Sequence, residues 1–408
     1  MTPEPVLALR GRVVTPSTVL DDGVVVLQGE RIAFVGTRAD AAGAGWQEAV
    51  EAAAPAAEGA LVLPGLVDVH NHGGGGASFP DAEDAATAQV AIDEHRRHGT
   101  TSLVASLVTA TPDVLRQRVQ VLADLADAGE LAGIHFEGPF ISAERCGAQN
   151  PAAIQEPDAA LTAELLELGR GHVVTMTLAP EAPGVRGTDG VVAALVAGGA
   201  LPSFGHTVAT AAQTRAALAE TVELLAGTPG ARSGRATVTH LFNGMNPMHH
   251  RAPGPIPEFL AAASHGDLLV ELIDDGTHID PELGRAVFEL VGRDNVLLVT
   301  DAMAAAGMPD GSYQLGSLAV TVADGVARLT GGESIAGGTA HLLDVVRSCV
   351  AGGVPLVDAV YAASVTPAGV LGRTDIGALE AGRRADVVVT DAELRPVRVL
   401  RGGIDQGR

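Results

Sequence analysis

The feature that most constrains the fold is an eightfold alternation of short apolar runs with Ala- and Leu-rich stretches between residues 62 and 370. The runs are LVDVH (66–70), TSLVASLV (101–108), AGIHFE (132–137), VVTMTLAP (173–180), LPSFGH (201–206), ATVTH (236–240), LLVELID (268–274) and NVLLVTD (295–301). Helical stretches lie between most of them, at 84–98, 112–128, 159–168 and 210–225. This alternation predicts an α/β fold with a (β/α)8 TIM-type barrel. The alternative, a doubly wound open sheet, would not bring its first and last strands to one point.

The two ends of the chain have a different pattern. Residues 1–61 alternate apolar and turn residues in VLALRGRVV and GVVVLQGERIAFVG, and residues 371–408 return to the same pattern after GRTDIGALEAGRRADVVVT. Such alternation is typical of β-hairpins. We therefore expect both ends to form one small β-sandwich domain, with the barrel, residues 62–370, inserted between them.

Composition limits the partners. The 408 residues carry a formal charge of −23, which argues against binding nucleic acid or an anionic membrane surface. Two cysteines without a CxxC pair are too few for a disulfide framework, and we find neither a signal peptide nor a membrane-spanning run. A cytoplasmic enzyme is the expectation, and an anionic substrate would need local positive charge from a metal or an arginine.

Acidic and histidine residues stand where five of the apolar runs end. They are His70, His72, Glu137, His206, His240 and Asp301. The C-terminal ends of barrel strands meet at one face, where TIM-barrel chemistry takes place. Imidazole and carboxylate are the ligands that borderline divalent metals prefer. The sequence therefore predicts a metal-dependent hydrolase in which Asp301 serves as general base or as an additional ligand.

The chain contains no lysine, because all 26 basic residues are arginines. This excludes a Walker A lysine, a Schiff-base lysine and a carboxylated lysine that bridges two metals. Glu137 can supply the negative charge that the carboxylated lysine would provide.

The motif series PGLVDVHNHG, HFEGPF, GHT, THLFNGM, DDGTH and TDAMAAAG resembles that of the N-acetylglucosamine-6-phosphate deacetylases in the amidohydrolase superfamily. The motifs run in order over residues 64–338, and the flanking β segments match the superfamily's small domain. The resemblance implies hydrolysis of N-acetyl-D-glucosamine 6-phosphate to glucosamine 6-phosphate and acetate by metal-activated water. It also implies a place in amino-sugar catabolism and cell-wall sugar recycling.

Residue by residue, Glu137, His206 and His240 match the family's main metal ligands. His70 and His72 match a second-site pair that some members have, so one or two divalent metals per subunit are implied, zinc first, with iron, manganese or cobalt as alternatives. Asp301 matches the catalytic aspartate, acting as base and then as acid.

The resemblance also assigns substrate contacts. They are Ala148, Gln149, Asn243, Gly244, Arg251, His278, Ile335, Ala336 and Gly337. Arg251 matches a phosphate-binding arginine that acts across a dimer interface in the family, so a homodimer is implied; the alternative is a surface salt bridge. His278 could instead be a polar residue at a helix start. Gln149 replaces the family's usual histidine and cannot carry a proton, and Cys146 in the same loop is either a plain thiol or part of the site.

Two other functions stay open at this point. One is another amidohydrolase, of D-aminoacylase, deaminase or dipeptidase type, which would need no phosphate clamp. The other is a non-catalytic scaffold with an amidohydrolase-like fold, which the intact ligand set argues against.

Overall fold

The computed structural model describes residues 4–54 and 57–407; residues 1–3, 55–56 and 408 of the predicted small domain lie outside them. The predicted barrel is confirmed: eight parallel strands pair in chain order, from the first to the eighth. Barrel strands 1 to 8 are Leu66–Asp68, Thr100–Leu107, Gly133–Glu137, Val173–Leu178, Leu201–Phe204, Ala236–Val238, Leu268–Leu272 and Val296–Leu298.

A helix follows each barrel strand and covers the outside of the sheet. These helices are Ala85–Arg97, Pro112–Asp127, Ala159–Leu168, Val191–Ala197, Ala211–Ala226, Ile256–Ser264, Pro281–Val291 and Leu342–Ala351. Their starts follow ordinary capping chemistry: Thr210 and Gln213 form a capping box, and Asp84 accepts from the backbone of Thr87. Short helices Leu356–Ala362 and Val365–Val370 complete the barrel, and three 3-10 turns lie at Ala143–Arg145, Pro151–Ala153 and Arg293–Asn295.

Side chains and backbone close the seam between barrel strands 1 and 8. The Asp301 N–H donates to the His70 carbonyl (2.9 Å). The buried Asp68 carboxylate accepts from the Thr300 hydroxyl (2.6 Å) and from the Asn71 amide (3.2 Å). Burial raises the pKa of Asp68 to about 6, although these hydrogen bonds work in the other direction. The seam therefore fixes the ends of strands 1 and 8 against each other.

The barrel interior contains a polar layer below the strand ends. The two ring nitrogens of His135 meet the hydroxyls of Ser106 and Thr177, each at 2.9 Å. The Thr177 hydroxyl continues to Thr239 (2.7 Å) and from there to Ser203 (2.6 Å). Because these polar groups are paired with one another, they can be buried without a large penalty. His135 is thus an interior histidine with both ring nitrogens hydrogen-bonded.

The chain ends form a separate β-sheet domain, as predicted, but hydrogen bonding makes it one seven-stranded sheet. In spatial order its strands are Ile404–Asp405, Pro396–Arg401, Val387–Thr390, Leu61–Pro64, Val6–Val14, Val19–Gln28 and Arg31–Thr37. The Ile32 N–H donates to the Arg383 carbonyl (2.9 Å) and the Ala385 N–H to the Glu30 carbonyl (2.8 Å), so the two edges of the sheet curl towards each other. Helices Arg38–Gly43 and Gln47–Ala52 pack on the outer face. The division at residue 61 stays a prediction, although pairing places Leu61–Pro64 in this sheet.

A three-stranded antiparallel sheet, not predicted from the sequence, is inserted between barrel strand 8 and its helix. Its strands are Gly311–Leu315, Leu318–Ala323 and Val326–Leu329. The signal for it in the sequence is the Asp324–Gly325 pair, which is typical of a hairpin turn, between two short runs. A two-stranded ribbon, Gly73–Gly74 with Ala77–Ser78, stands beside it on the same face of the barrel. None of the helices in the described part of the chain is both long and apolar enough to cross a bilayer.

Candidate metal centre and active-site cavity

The six predicted ligands converge at the C-terminal end of the barrel. Their ring nitrogens and carboxylate oxygens form two groups that share Glu137, with the atoms of each group within 4.8 Å of one another. We call Glu137, His206 and His240 the His206 group, and His70, His72, Glu137 and Asp301 the Asp301 group.

Three of these residues lie in left-handed backbone just beyond their strands. The φ angles are 46° at His206, 29° at His240 and 47° at Asp301. Such conformations are uncommon for residues other than glycine and concentrate at functional sites. They also explain why strands 5, 6 and 8 end earlier than the apolar runs predict, since the backbone turns to aim each side chain inward.

Glu137 lies between the two groups. Its Oε1 is 2.8 Å from His206 Nε2 and 2.9 Å from His240 Nε2, and its Oε2 is 3.0 Å from His72 Nε2. Hydrogen bonds to these imidazoles outweigh burial and hold the pKa of Glu137 well below its usual range. The carboxylate is therefore ionised and can face two cations at once.

Three of the four imidazoles present Nε2 to the cluster because their Nδ1 atoms are engaged elsewhere, whereas His240 Nδ1 is buried without a hydrogen-bond partner among the described residues. His72 Nδ1 donates to the Ser106 carbonyl (3.1 Å), and His206 Nδ1 donates to the Arg145 carbonyl (2.8 Å). Since those carbonyls can only accept, each Nδ1 carries a proton, and Nε2 is the nitrogen that can offer a lone pair to a cation. A hydrogen bond on the far nitrogen is the usual support of a metal-binding histidine.

Lone pairs at this spacing require a positive charge between them. His206 Nε2 and His240 Nε2 are 3.0 Å apart, and His70 Nε2 and His72 Nε2 are 3.2 Å apart. Burial lowers the pKa of His70, but the carboxylates around it outweigh burial and raise it to about 10; the pKa of His72 rises to about 9 in the same way. The cluster therefore holds protons without a metal, and a divalent cation would displace them. The donor set fits a metal site.

A cavity of about 330 Å³ opens above this cluster. It is lined by most of the predicted substrate contacts, namely Ala148, Gln149, Asn243, Gly244, His278, Ile335 and Gly337, and by Gly147, Leu315, Glu333 and Ser334. Leu315 comes from the inserted sheet, so this sheet forms part of the wall. The volume is in the range of small-molecule sites.

Two positions in the cavity wall require glycine because atoms of the candidate ligands lie very close to the backbone there. A Cβ on Gly244 (φ 62°) would meet His206 Nδ1 at 2.8 Å. A Cβ on Gly337 (φ 83°) would meet the Asp301 carbonyl at 2.8 Å. Both contacts are too short for a real side chain, so any other residue would displace a candidate ligand.

Gln149 and His278 are held in fixed orientations. The Gln149 amide accepts from the Thr109 N–H (2.7 Å) and donates to Glu137 Oε2, so it orients that carboxylate as well as lining the cavity. His278 Nδ1 is 2.9 Å from Asp275 Oδ2, and hydrogen bonding to His278 outweighs burial and lowers the pKa of Asp275. The Nε2 of His278 is then free to face a ligand.

Apart from the predicted ligand His70, which lies beneath the cavity, three of the predicted substrate-contact and loop residues do not line it. Arg251 is exposed and lines a separate groove together with Thr210 and Pro253. Ala336 is fully buried in the apolar cluster of the inserted sheet. Cys146 is a half-buried free thiol in the loop before Gln149, and burial raises its pKa. Among the residues that the structure describes, no arginine lines the cavity.

Sequence reasoning missed Glu271 on barrel strand 7. It is 2% exposed, and its Oε2 accepts from His70 Nδ1 (2.9 Å) and from the His240 N–H (3.1 Å). The available signal was a lone charged residue inside the apolar run LLVELID, where burial demands a partner.

A third group of potential ligands, Glu94, His98 and His341, lies outside the cavity. His98 Nδ1, which lies 3.2 Å from Glu94 Oε1, donates to the Glu94 carbonyl (2.8 Å), so this nitrogen has no lone pair to share with a metal. His341 Nε2 is 2.9 Å from Glu94 Oε1, and the rings of His341 and His98 stack at 3.6 Å. We interpret this group as a link between the helices that follow strands 1 and 8.

Comparison with known proteins agrees with this geometry. Residues 61–404 match the amidohydrolase family. The N-acetylglucosamine-6-phosphate deacetylase of Bacillus subtilis (strain 168) is 30% identical over 408 residues, covering 96% of this chain and 95% of the relative. That of Lysinibacillus sphaericus is 33% identical, with 85% of each chain covered. The N-acetylgalactosamine-6-phosphate deacetylase of Escherichia coli O157:H7 is 32% identical, with 82% of this chain and 84% of the relative covered.

Solved structures give the same result. The N-acetyl-D-glucosamine-6-phosphate deacetylase of Mycobacterium smegmatis, solved as a mutant in complex with N-acetyl-D-glucosamine-6-phosphate, superposes with a TM-score of 0.85 at 38% identity. The match covers 99% of this chain and all of that chain. The resemblance inferred from the motifs is thereby confirmed, and the chain belongs to the amidohydrolase family.

Proposed function

We propose that this protein hydrolyses the N-acetyl group of N-acetyl-D-glucosamine 6-phosphate, giving D-glucosamine 6-phosphate and acetate. The observation that carries the proposal is the cavity in which Asp301, the shared Glu137 and two groups of metal-ligand atoms face the same space. The similarity to deacetylases over nearly the whole chain supports the choice of substrate.

The His206 group and the Asp301 group would hold one or two divalent cations, zinc being our first choice. Such a cation supplies a Lewis acid and lowers the pKa of a water ligand to about 7. All four imidazoles are buried, so they are shielded from bulk water. Glu137 keeps the two groups together by facing both.

Asp301 handles the proton in this proposal. Its Oδ1 lies 3.2 Å from His72 Nε2 and 3.3 Å from His70 Nε2, and its side chain lines the cavity. Burial raises the pKa of Asp301, but the neighbouring imidazoles outweigh burial and lower it, so the carboxylate is ready to accept a proton. Asp301 takes the proton of the attacking water and returns it to the sugar nitrogen as the C–N bond breaks.

The other residues of the cavity wall bind and orient the sugar. His278, held by Asp275, would offer its Nε2 to the substrate, and Asn243 and Gly244 also line the cavity. Ile335 and Gly337 line the remaining side.

The phosphate group needs a cation that this cavity wall does not supply. Arg251 is exposed on a neighbouring groove, and the chain as a whole carries −23 charges. Arginine recognises phosphate through a bidentate pair of hydrogen bonds. We therefore propose a homodimer in which Arg251 of one subunit completes the site of the other. We also place the enzyme in the cytoplasm, where phosphorylated sugars are made and retained.

The test is a comparison of kcat/KM for acetate release from three sugars. N-acetylglucosamine 6-phosphate should be the best substrate, and the unphosphorylated sugar should be at least tenfold poorer because it cannot pair with Arg251. N-acetylgalactosamine 6-phosphate is the informative third sugar, because a relative that is equally similar acts on it. A clear preference for that epimer, or no release from any of the three, would reject the proposed substrate.

A further inference from the structure

We propose that Glu271 is a positioning residue that holds His70 ready as a ligand and so sets the occupancy of a second cation in the Asp301 group. The inference rests on the proposed metal site and adds a residue that neither the motifs nor the family resemblance singled out.

Glu271 is a buried carboxylate whose ion pair in the described structure is with His70. It is 2% exposed on barrel strand 7, and its Oε2 lies 2.9 Å from His70 Nδ1. Leaving a carboxylate inside a barrel is costly unless it is paired. The His70 imidazole is the partner that offsets this cost, so the two side chains depend on each other.

The contact fixes which nitrogen of His70 faces the cluster. With Nδ1 donating to Glu271, Nε2 is the nitrogen left for a cation, and it lies 3.2 Å from His72 Nε2 and 3.3 Å from Asp301 Oδ1. His72 and His206 are oriented by backbone carbonyls, whereas His70 is oriented by a carboxylate. A carboxylate hydrogen-bonded to one ring nitrogen makes the other nitrogen a stronger electron-pair donor to a metal, and it fixes the orientation of the ring.

Glu271 also contacts the backbone of His240, a ligand in the His206 group. Glu271 Oε2 also accepts from the His240 N–H at 3.1 Å, next to the left-handed φ of 29° at that residue. An amide at position 271 can still accept both hydrogen bonds with its oxygen, but it lacks the charge. Glu271→Gln therefore separates charge from geometry, and Glu271→Ala removes both.

Replacing Glu271 should weaken cation binding mainly in the Asp301 group. The side chain of His240 is not touched by Glu271, and His240 Nε2 keeps its contacts with Glu137 (2.9 Å) and His206 (3.0 Å). The His206 group should therefore still bind its cation when Glu271 is replaced.

The experiment is a titration of the metal-stripped, full-length protein with Zn²⁺ against a competing chelator, followed by elemental analysis. The wild type should bind two equivalents. Glu271→Gln should weaken the second equivalent by about 10–100-fold, the usual cost of losing such an outer partner, while the first stays unchanged. Glu271→Ala should keep one equivalent.

Asp274→Asn is the matched control, because it makes the same carboxylate-to-amide change at a buried position three residues along the chain. It should bind both equivalents like the wild type. Circular dichroism checks that each variant is folded, and Glu271→Gln decides the matter if the alanine variant does not fold.

The inference is overturned if both equivalents bind Glu271→Gln with wild-type affinity, if they weaken together, or if the wild type binds only one. These readouts do not depend on turnover. A protein that binds zinc as described but releases no acetate would reject the proposed function and leave the role of Glu271 intact.

Discussion

Replacing Asp301 by Asn is the sharpest single perturbation of the proposed chemistry. The left-handed backbone at Asp301 (φ 47°) is one that asparagine tolerates well, so the fold should accept the change. The amide keeps the shape of the side chain but cannot take up a proton from water. General acid–base catalysis is usually worth about 10²–10⁴-fold, which corresponds to about 3–5 kcal/mol of barrier. We expect kcat to fall by that factor, with KM changed less than about threefold.

The assay is the initial rate of acetate release from N-acetylglucosamine 6-phosphate over a range of substrate concentrations, with bound metal measured on the same samples. Asp324→Asn is the matched control, because Asp324 also has a left-handed backbone (φ 52°) but is exposed in the turn of the inserted sheet. It should leave kcat unchanged. If Asp301→Asn raises KM but leaves kcat unchanged, Asp301 is not the proton carrier. If the variant loses bound metal in proportion to its loss of rate, Asp301 acts mainly as a metal ligand.

Three further changes test other parts of the site. Glu137→Gln should lower bound metal and abolish turnover, since Glu137 faces both groups; elemental analysis showing full metal content with normal rates would contradict the shared-ligand assignment. Arg251→Ala should lower kcat/KM for the phosphorylated sugar by about 10–200-fold and spare the unphosphorylated one, and mixing it with Asp301→Asn subunits should restore activity if the arginine acts across a dimer. An equal loss for both sugars would make Arg251 structural. Burial raises the pKa of Asp274 to about 6, so the wild-type fold loses stability as the pH rises and this carboxyl ionises. Asp274→Asn cannot ionise, so its advantage in free energy of unfolding over the wild type, measured from melting curves, should be about 1 kcal/mol larger at pH 8 than at pH 5. A gain that does not depend on pH would contradict this.

Much of the fold follows from the sequence because a buried parallel strand must be apolar throughout and must alternate with a helix. The first helix was predicted at 84–98 and is Ala85–Arg97. Strand ends were less predictable: the run 295–301 becomes a strand only over Val296–Leu298, because the backbone reverses at Asp301.

The inserted sheet was missed because its strands are half exposed and short. Its pattern of alternating residues is weaker than the continuous apolar runs that dominate the rest of the barrel.

The ligands could be found from the sequence because each stands at the end of an apolar run. What could not be found are contacts that join distant segments. Glu271 is hydrogen-bonded to His70, 201 residues away in the sequence. The Gln149 amide donates a hydrogen bond to Glu137 in addition to lining the cavity. The position of Arg251 outside the cavity likewise depends on how the chain folds after His240, which no local pattern specifies.

The most direct measurement of the central claim is acetate release from N-acetylglucosamine 6-phosphate by one preparation before metal removal, after chelation, and after adding back Zn²⁺. The account predicts a measurable rate, its loss on chelation, and its return in proportion to the zinc bound, up to two equivalents. A full rate in the chelated protein, or no release at any metal loading, would contradict a metal-dependent deacetylase.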